Sequence, residues 1–229
     1  KGRINAEVWA AARITVHRVW ALLKLGVPTG FQYIFEVSAF AISAWIIGTY
    51  GATALAAHQV AISLASISYM AATGLGAAAT IRIGQYLGQR DHASARNAAT
   101  SLFGLTVLFM TFTGLLFLFG RNVFPFLYTD SDEVAQLAGQ LLVVATLFQI
   151  SDGMQATALG ALRGIQDVKM PTLFTFVAYY VFALPLEWII GTYFDLGAVG
   201  VWVALAIGLT VAAGAMTFRF YRRLAVLAH

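Results

Sequence analysis

Three carboxylates stand inside long apolar runs of this sequence: Glu36, Asp152 and Glu187. A charged side chain at the centre of a bilayer costs at least ~2.5 kcal/mol on insertion scales, so an acid placed there needs a partner. None of the fourteen Lys and Arg residues lies in the middle of a run, and an ion pair with a fixed cation of this chain is not expected. Two readings of Glu36 and Asp152 follow. They meet a proton, a bound cation, a cationic substrate or a partner outside this chain, or they are neutral groups hydrogen-bonded between helices.

Each of the two deep acids has polar company at helical spacing. Thr29, Gln32, Tyr33, Phe40 and Ser43 fall on the face of Glu36, and Thr146, Gln149 and Gln155 lie within two turns of Asp152. A polar stripe on an apolar helix turns toward a bundle interior or a wet cavity, not toward lipid. The heights also match. Glu36 follows Lys24 by about 18 Å of helix and Asp152 precedes Arg163 by about 16 Å, which puts both near the middle of a ~30 Å core. Glu187 lies about 27 Å past Lys169, near the other interface, where a solvated position is expected.

The elements that must carry these residues are transmembrane helices. Of 229 residues 60% are hydrophobic and only 10% charged, outside the range of soluble domains. Six stretches are long and apolar enough to span: 25–49, 54–80, 98–120, 134–162, 170–192 and 197–219. The fold class is therefore all-α, a polytopic membrane protein. Residues 1–24 read as an amphipathic surface helix ahead of a membrane lobe over 25–223, with a tail at 224–229. Pro125 interrupts 121–133, and Asp130, Asp132 and Glu133 supply an acidic start to the next helix. With six spans, thirteen of the fourteen basic residues fall on one side and Arg121 alone on the other. This split predicts that both termini are cytoplasmic. It also explains the basic balance without nucleic acid as a partner.

Other residues have plainer expectations. Pro28 suits a helix entry, and Pro185, deep in the fifth span, should kink it or free a carbonyl. His58 is expected to be structural, and His17 and His92 to lie at the surface. GLGAAA at 74–79 offers a small face for close packing. With no cysteine and no metalloprotease, Walker or nucleophile-elbow motif, neither an enzyme nor a cofactor is expected. The opening KGRINAEVW, without an initiator Met, predicts a piece of something longer.

Four stretches together resemble one family, the multidrug and toxic compound extrusion (MATE) transporters. LGVPTGFQYIFEVSAF resembles the family's seventh helix, and AAHQVA the start of its eighth. TIRIGQYLGQRD resembles a cytoplasmic loop, and SDGMQATALGALRGIQDVKMPT the tenth helix with its acid and the turn that follows. The resemblance implies a twelve-helix fold of two six-helix lobes, of which this chain is the C-terminal, NorM-like one, and the lead-in the inter-lobe linker. It further implies antiport of organic cations against Na⁺ or H⁺ in the bacterial inner membrane. Glu36 and Asp152 would be the cation-binding pair and the Na⁺ ligands if sodium is coupled. Gln32, Tyr33, Gln149 and Gln155 would line the cavity. Arg82 and Arg163 are expected as loop and helix-end residues. The implied partners are organic cations, membrane lipid, and an N-terminal lobe or a second copy of this one. A module inert without its partner lobe and a lipid-carrier flippase are the alternatives.

Overall fold

The computed structural model describes residues 16–227, and among them there are six long helices and no strand. They are α1 (Val16–Gly48), α2 (Ala52–Gly88), α3 (His92–Gly120), α4 (Asp132–Gly164), α5 (Lys169–Tyr193) and α6 (Gly197–Leu227). Each matches one of the six apolar stretches to within two residues at the other end, and several run past it at the basic end, where hydropathy alone cannot mark a boundary. Residues 5–15 of the lead-in helix fall outside the described residues. From Val16 onward the chain is already α1, with no break at Lys24, so Pro28 lies inside the helix and not at its entry. Its ring removes one hydrogen bond there, and its carbonyl accepts the Thr172 hydroxyl of α5 at 2.9 Å.

The helix ends follow local chemistry. Asp91 caps α3 by accepting the Ser94 amide at 2.9 Å. Ser131 precedes α4, with Asp132 and Glu133 in its positive first turn. Between α3 and α4, Pro125 sits in a short 3₁₀ turn, Phe124–Leu127.

α4 is the central helix, buried on nearly all sides from Phe148 to Leu162. It meets α2 backbone to backbone. A Cβ on Gly160 would collide with the Gly76 carbonyl, and Thr80 donates to the Gly160 carbonyl at 2.9 Å. Small residues at this crossing replace the side-chain interdigitation that a wider pair would use. The aromatic core beside it holds Trp202 of α6 against Phe148, and the Trp202 indole donates to His58 Nδ1 at 3.1 Å. His58 is thus structural, as expected.

α5 is not a regular helix. Two wide π segments, Val177–Ala183 and Ile189–Tyr193, flank Leu184–Trp188, which carries Pro185. A proline has no amide to donate and crowds the carbonyl four residues back, and a wider turn relieves both problems. At the basic end, the turn after α4 places Gln166 at φ 60°, and the Asp167 amide returns to the Leu162 carbonyl. Asp167 is there clasped by Arg219 at 2.8 Å and Arg223 at 3.6 Å from α6.

Candidate functional site

The side of α1 turned into the bundle is a single stripe: Gln32, Glu36, Ala39, Ser43 and Ile46–Ile47 are buried, while Phe31, Tyr33, Ile34, Val37 and Trp45 beside them are exposed. The spacing is that of one helical face, and three of its members are polar. Opposite, α4 contributes Asp152 and α2 contributes Tyr69. Glu36 and Asp152, 6% and 7% exposed, line the same cavity of about 330 Å³, so the heights read from the sequence do meet in space. The rest of the lining is largely apolar, with Phe40, Ile62 and Phe148 among it. A smaller cavity of about 120 Å³ lies beside the first and shares Tyr33, Glu36 and Tyr69 with it.

Glu36 is held at both oxygens. Gln32 Nε2 donates to Oε2 at 3.0 Å and the Tyr69 hydroxyl donates to Oε1 at 2.9 Å. The carbonyl of the same Gln32 accepts Arg163 Nη2 at 2.6 Å. Arg163 also lies 5.2 Å from the centre of the Tyr33 ring and lines the smaller cavity. Arg163 stands in the last turn of α4, as expected of a helix-end residue, but its side chain does not end in solvent. Its long side chain folds back along α4 toward the membrane interior, a reach that counting residues along the helix leaves out. Among the described residues Glu36 and Asp152 make no ion pair, and Asp167 is the acid that does.

Of the four expected lining residues, Gln32 and Tyr33 border the cavities. Gln149 and Gln155 turn into helix contacts instead. Gln149 donates to Ser68 at 2.8 Å and Thr113 at 3.3 Å, and Gln155 donates to the Tyr179 hydroxyl at 3.1 Å. Tyr69, Ser66 and Thr73 were not anticipated. Their signal in the sequence is the polar spacing 66, 69, 73 within an otherwise apolar α2, the same kind of stripe that marked Glu36.

Glu187 departs most from expectation. It is fully buried, not solvated: Ser43 of α1 donates to its Oε1 at 2.9 Å, and among the described residues Oε2 has no partner. The packing of α1 and α6 around α5 covers the position from the side, which rise along one helix does not reveal.

With this geometry in place, the comparisons with known proteins decide the family. The MatE family model matches residues 28–189, most of the chain. The chain belongs to the MATE family. Its MATE relatives include the probable multidrug resistance protein NorM of Rhodopseudomonas palustris, 42% identical over 205 residues, covering 88% of this chain and 43% of that protein. The multidrug resistance protein MdtK of Proteus mirabilis is 35% identical over 209 residues, covering 90% and 46%. Among solved MATE structures, the Vibrio cholerae transporter VcmN in its bent form superposes with a TM-score of 0.85 at 16% identity, over 94% of this chain and 49% of that one. The eukaryotic transporter AtDTX14 gives 0.84 at 21%, over 95% and 51%. The chain thus spans about half the length of the MATE proteins it matches, and it is an integral membrane protein with the fold of one MATE lobe.

Proposed function

We propose that this chain is the C-terminal half of a multidrug efflux antiporter and that Glu36 and Asp152 bind its coupling ion, Na⁺ or H⁺. The observation that carries the reading is that two buried carboxylates face one cavity and, among the described residues, have no ion-pair partner. Two acids so placed hold an excess of negative charge that a cation relieves. The apolar remainder of the cavity wall suits the organic part of a cationic substrate. The multidrug-resistance names of NorM and MdtK agree with that substrate class.

In this reading an ion from outside neutralises Glu36 and Asp152 and favours the state that releases substrate. Return of the acids to their charged form favours the next organic cation. Coupling needs only that ion and substrate prefer different states. The basic ends of the helices face the cytoplasm, with both termini there, in a bacterial inner membrane. A first lobe, supplied by another segment or by a second copy of this one, completes the cavity.

The test is thermal unfolding of the chain in detergent against Na⁺, K⁺ and pH, beside Glu36→Gln and Asp152→Asn. Saturable Na⁺ stabilisation, about 2.7 kcal/mol at a hundredfold excess over Kd, should vanish in both variants. A pH response lost in both variants, without a Na⁺ response, assigns the proton as the ion. Indifference of all three proteins to both ions rejects the ion site and leaves the acids as ties between helices.

A further inference from the structure

α1 and α5 run side by side in the same direction, joined in order by four side-chain hydrogen bonds. Thr172 donates to the Pro28 carbonyl at 2.9 Å, Ser38 pairs with Tyr180 at 2.5 Å, Ser43 with Glu187 at 2.9 Å and Tyr50 with Thr192 at 2.9 Å. Three of these rungs join a hydroxyl to a hydroxyl or to a carbonyl. The third contains a carboxyl, and it stands between the two π segments of α5.

The Ser43 hydroxyl has one hydrogen and two acceptors in reach, Glu187 Oε1 and, at 3.0 Å, the Ala39 carbonyl. Given to an ionised Glu187, that hydrogen is the only one the buried charge receives, because Oε2 has no partner among the described residues. A buried charge so poorly compensated takes up a proton instead. A proton on Oε1 reverses the bond. Glu187 then donates to Ser43, Ser43 donates to Ala39, and every hydrogen has an acceptor. Oε2 becomes a neutral carbonyl oxygen, which costs less to leave bare than a charged one. A metal does not suit the position. A hard cation takes about six oxygens. Glu187 lines neither cavity described above, and no group of three acids or histidines surrounds it among the described residues.

We infer that Glu187 and Ser43 form a proton-binding site separate from the Glu36–Asp152 cavity, and that its proton fastens α1 to the wide-turned segment of α5. This site is independent of whether Glu36 and Asp152 bind an ion. The titratable groups on the helices along this stretch are Glu36 and Tyr50 of α1, Tyr179, Tyr180 and Tyr193 of α5, and His58 of α2 behind Trp202. Among the described residues none of them bonds Glu187 or Ser43, and α6 has no charged residue before Arg219. Gly191, one turn beyond Glu187, leaves room for the Tyr50 hydroxyl. The exposed Tyr50–Thr192 pair thus separates the site from the end of the bundle opposite the basic one.

The experiment uses the chain in detergent with Glu36→Gln and Asp152→Asn in place, so that neither cavity acid contributes. At about pH 6 solvated carboxyls are ionised. An infrared spectrum there should still show the C=O stretch of a protonated carboxyl, and adding Glu187→Gln should remove it. Ser43→Ala keeps the carboxyl, takes away its partner and should move the band, so a poorly folding Gln variant does not block the test. Any opening of α5 that exposes Glu187 releases its proton and becomes easier as pH rises, by up to about tenfold per pH unit. Protection of the amides of residues 189–193, measured against intrinsic exchange at each pH, should therefore fall as pH rises. In Glu187→Gln, whose amide donates to Ser43 as the protonated acid does, protection should stay level. No band at about pH 6, a band that neither variant alters, or protection with the same pH dependence with and without Glu187 overturns the inference.

Discussion

At the scale of single residues, the buried acids differ in how completely they are partnered. Glu187 relies on one hydroxyl, and Ser43→Ala leaves it with none. That substitution should destabilise the chain by about 1–3 kcal/mol, measured by unfolding in mixed detergent, while Ser43→Thr should keep most of the stability. Asp91 shows the opposite case, a partly solvated acid at a helix end. Hydrogen bonds from the Ser94 side chain and amide hold its carboxyl below its ordinary value of 3.8. A lowered value means the cap contributes above pH 3.8 and is lost as pH falls through the lowered one. Protection of the Ser94 amide, measured against its intrinsic exchange rate at each pH, should therefore fall below pH 3.8 and not above it. The sequence showed the Glu36 and Asp152 stripes because helical periodicity exposes a buried polar face. It did not show Arg163 or the burial of Glu187. Both depend on where a side chain reaches sideways, and rise along one helix contains no such information.

At the scale of elements, two helices depart from ideal packing for identifiable reasons. α2 and α4 cross so closely at Gly76 and Gly160 that any side chain meets backbone. Gly160→Leu should cost more than ~2 kcal/mol or prevent folding, whereas Gly104→Leu, with open space around it, should leave the unfolding midpoint almost unchanged. In α5 the wide turns on either side of Pro185 leave the segment with irregular backbone pairing. Pro185→Ala supplies the missing amide and should slow hydrogen exchange across residues 181–189. Unchanged exchange would place the cause in α6 instead, where Gly208 lets the Ala178–Ala183 segment lie close. The proline announced an irregularity in the sequence. Its form, a pair of π segments, depended on neighbours that the sequence does not order in space.

At the scale of the whole molecule, the six spans and their alternation were legible because bilayer thickness dictates a length that composition reveals directly. The separation of basic residues to one end required that count of spans and no other. What stayed hidden was which helix is central. α4 is buried on nearly every side, yet Leu147 and Ile150 on it remain exposed, as do Tyr33 and Val37 of α1 near the cavity. A large apolar surface of this kind in a membrane protein is covered by lipid or by another protein surface. The two covers predict different outcomes: spin labels at Leu147 should lose mobility on co-expression with a MATE first lobe, while labels at Phe119 should not change.

The clasp of Asp167 by Arg219 and Arg223 has a consequence for biogenesis. The acid is translated some fifty residues before its arginines, so α1 to α5 enter the membrane while that loop is still unfastened. Closing it requires the sixth helix to be in place, and in the orientation proposed above it lies at the end of the bundle nearest the ribosome. A nascent chain arrested before Arg219 should therefore remain open to proteases at the α4–α5 loop, and one arrested after Arg223 has emerged should not.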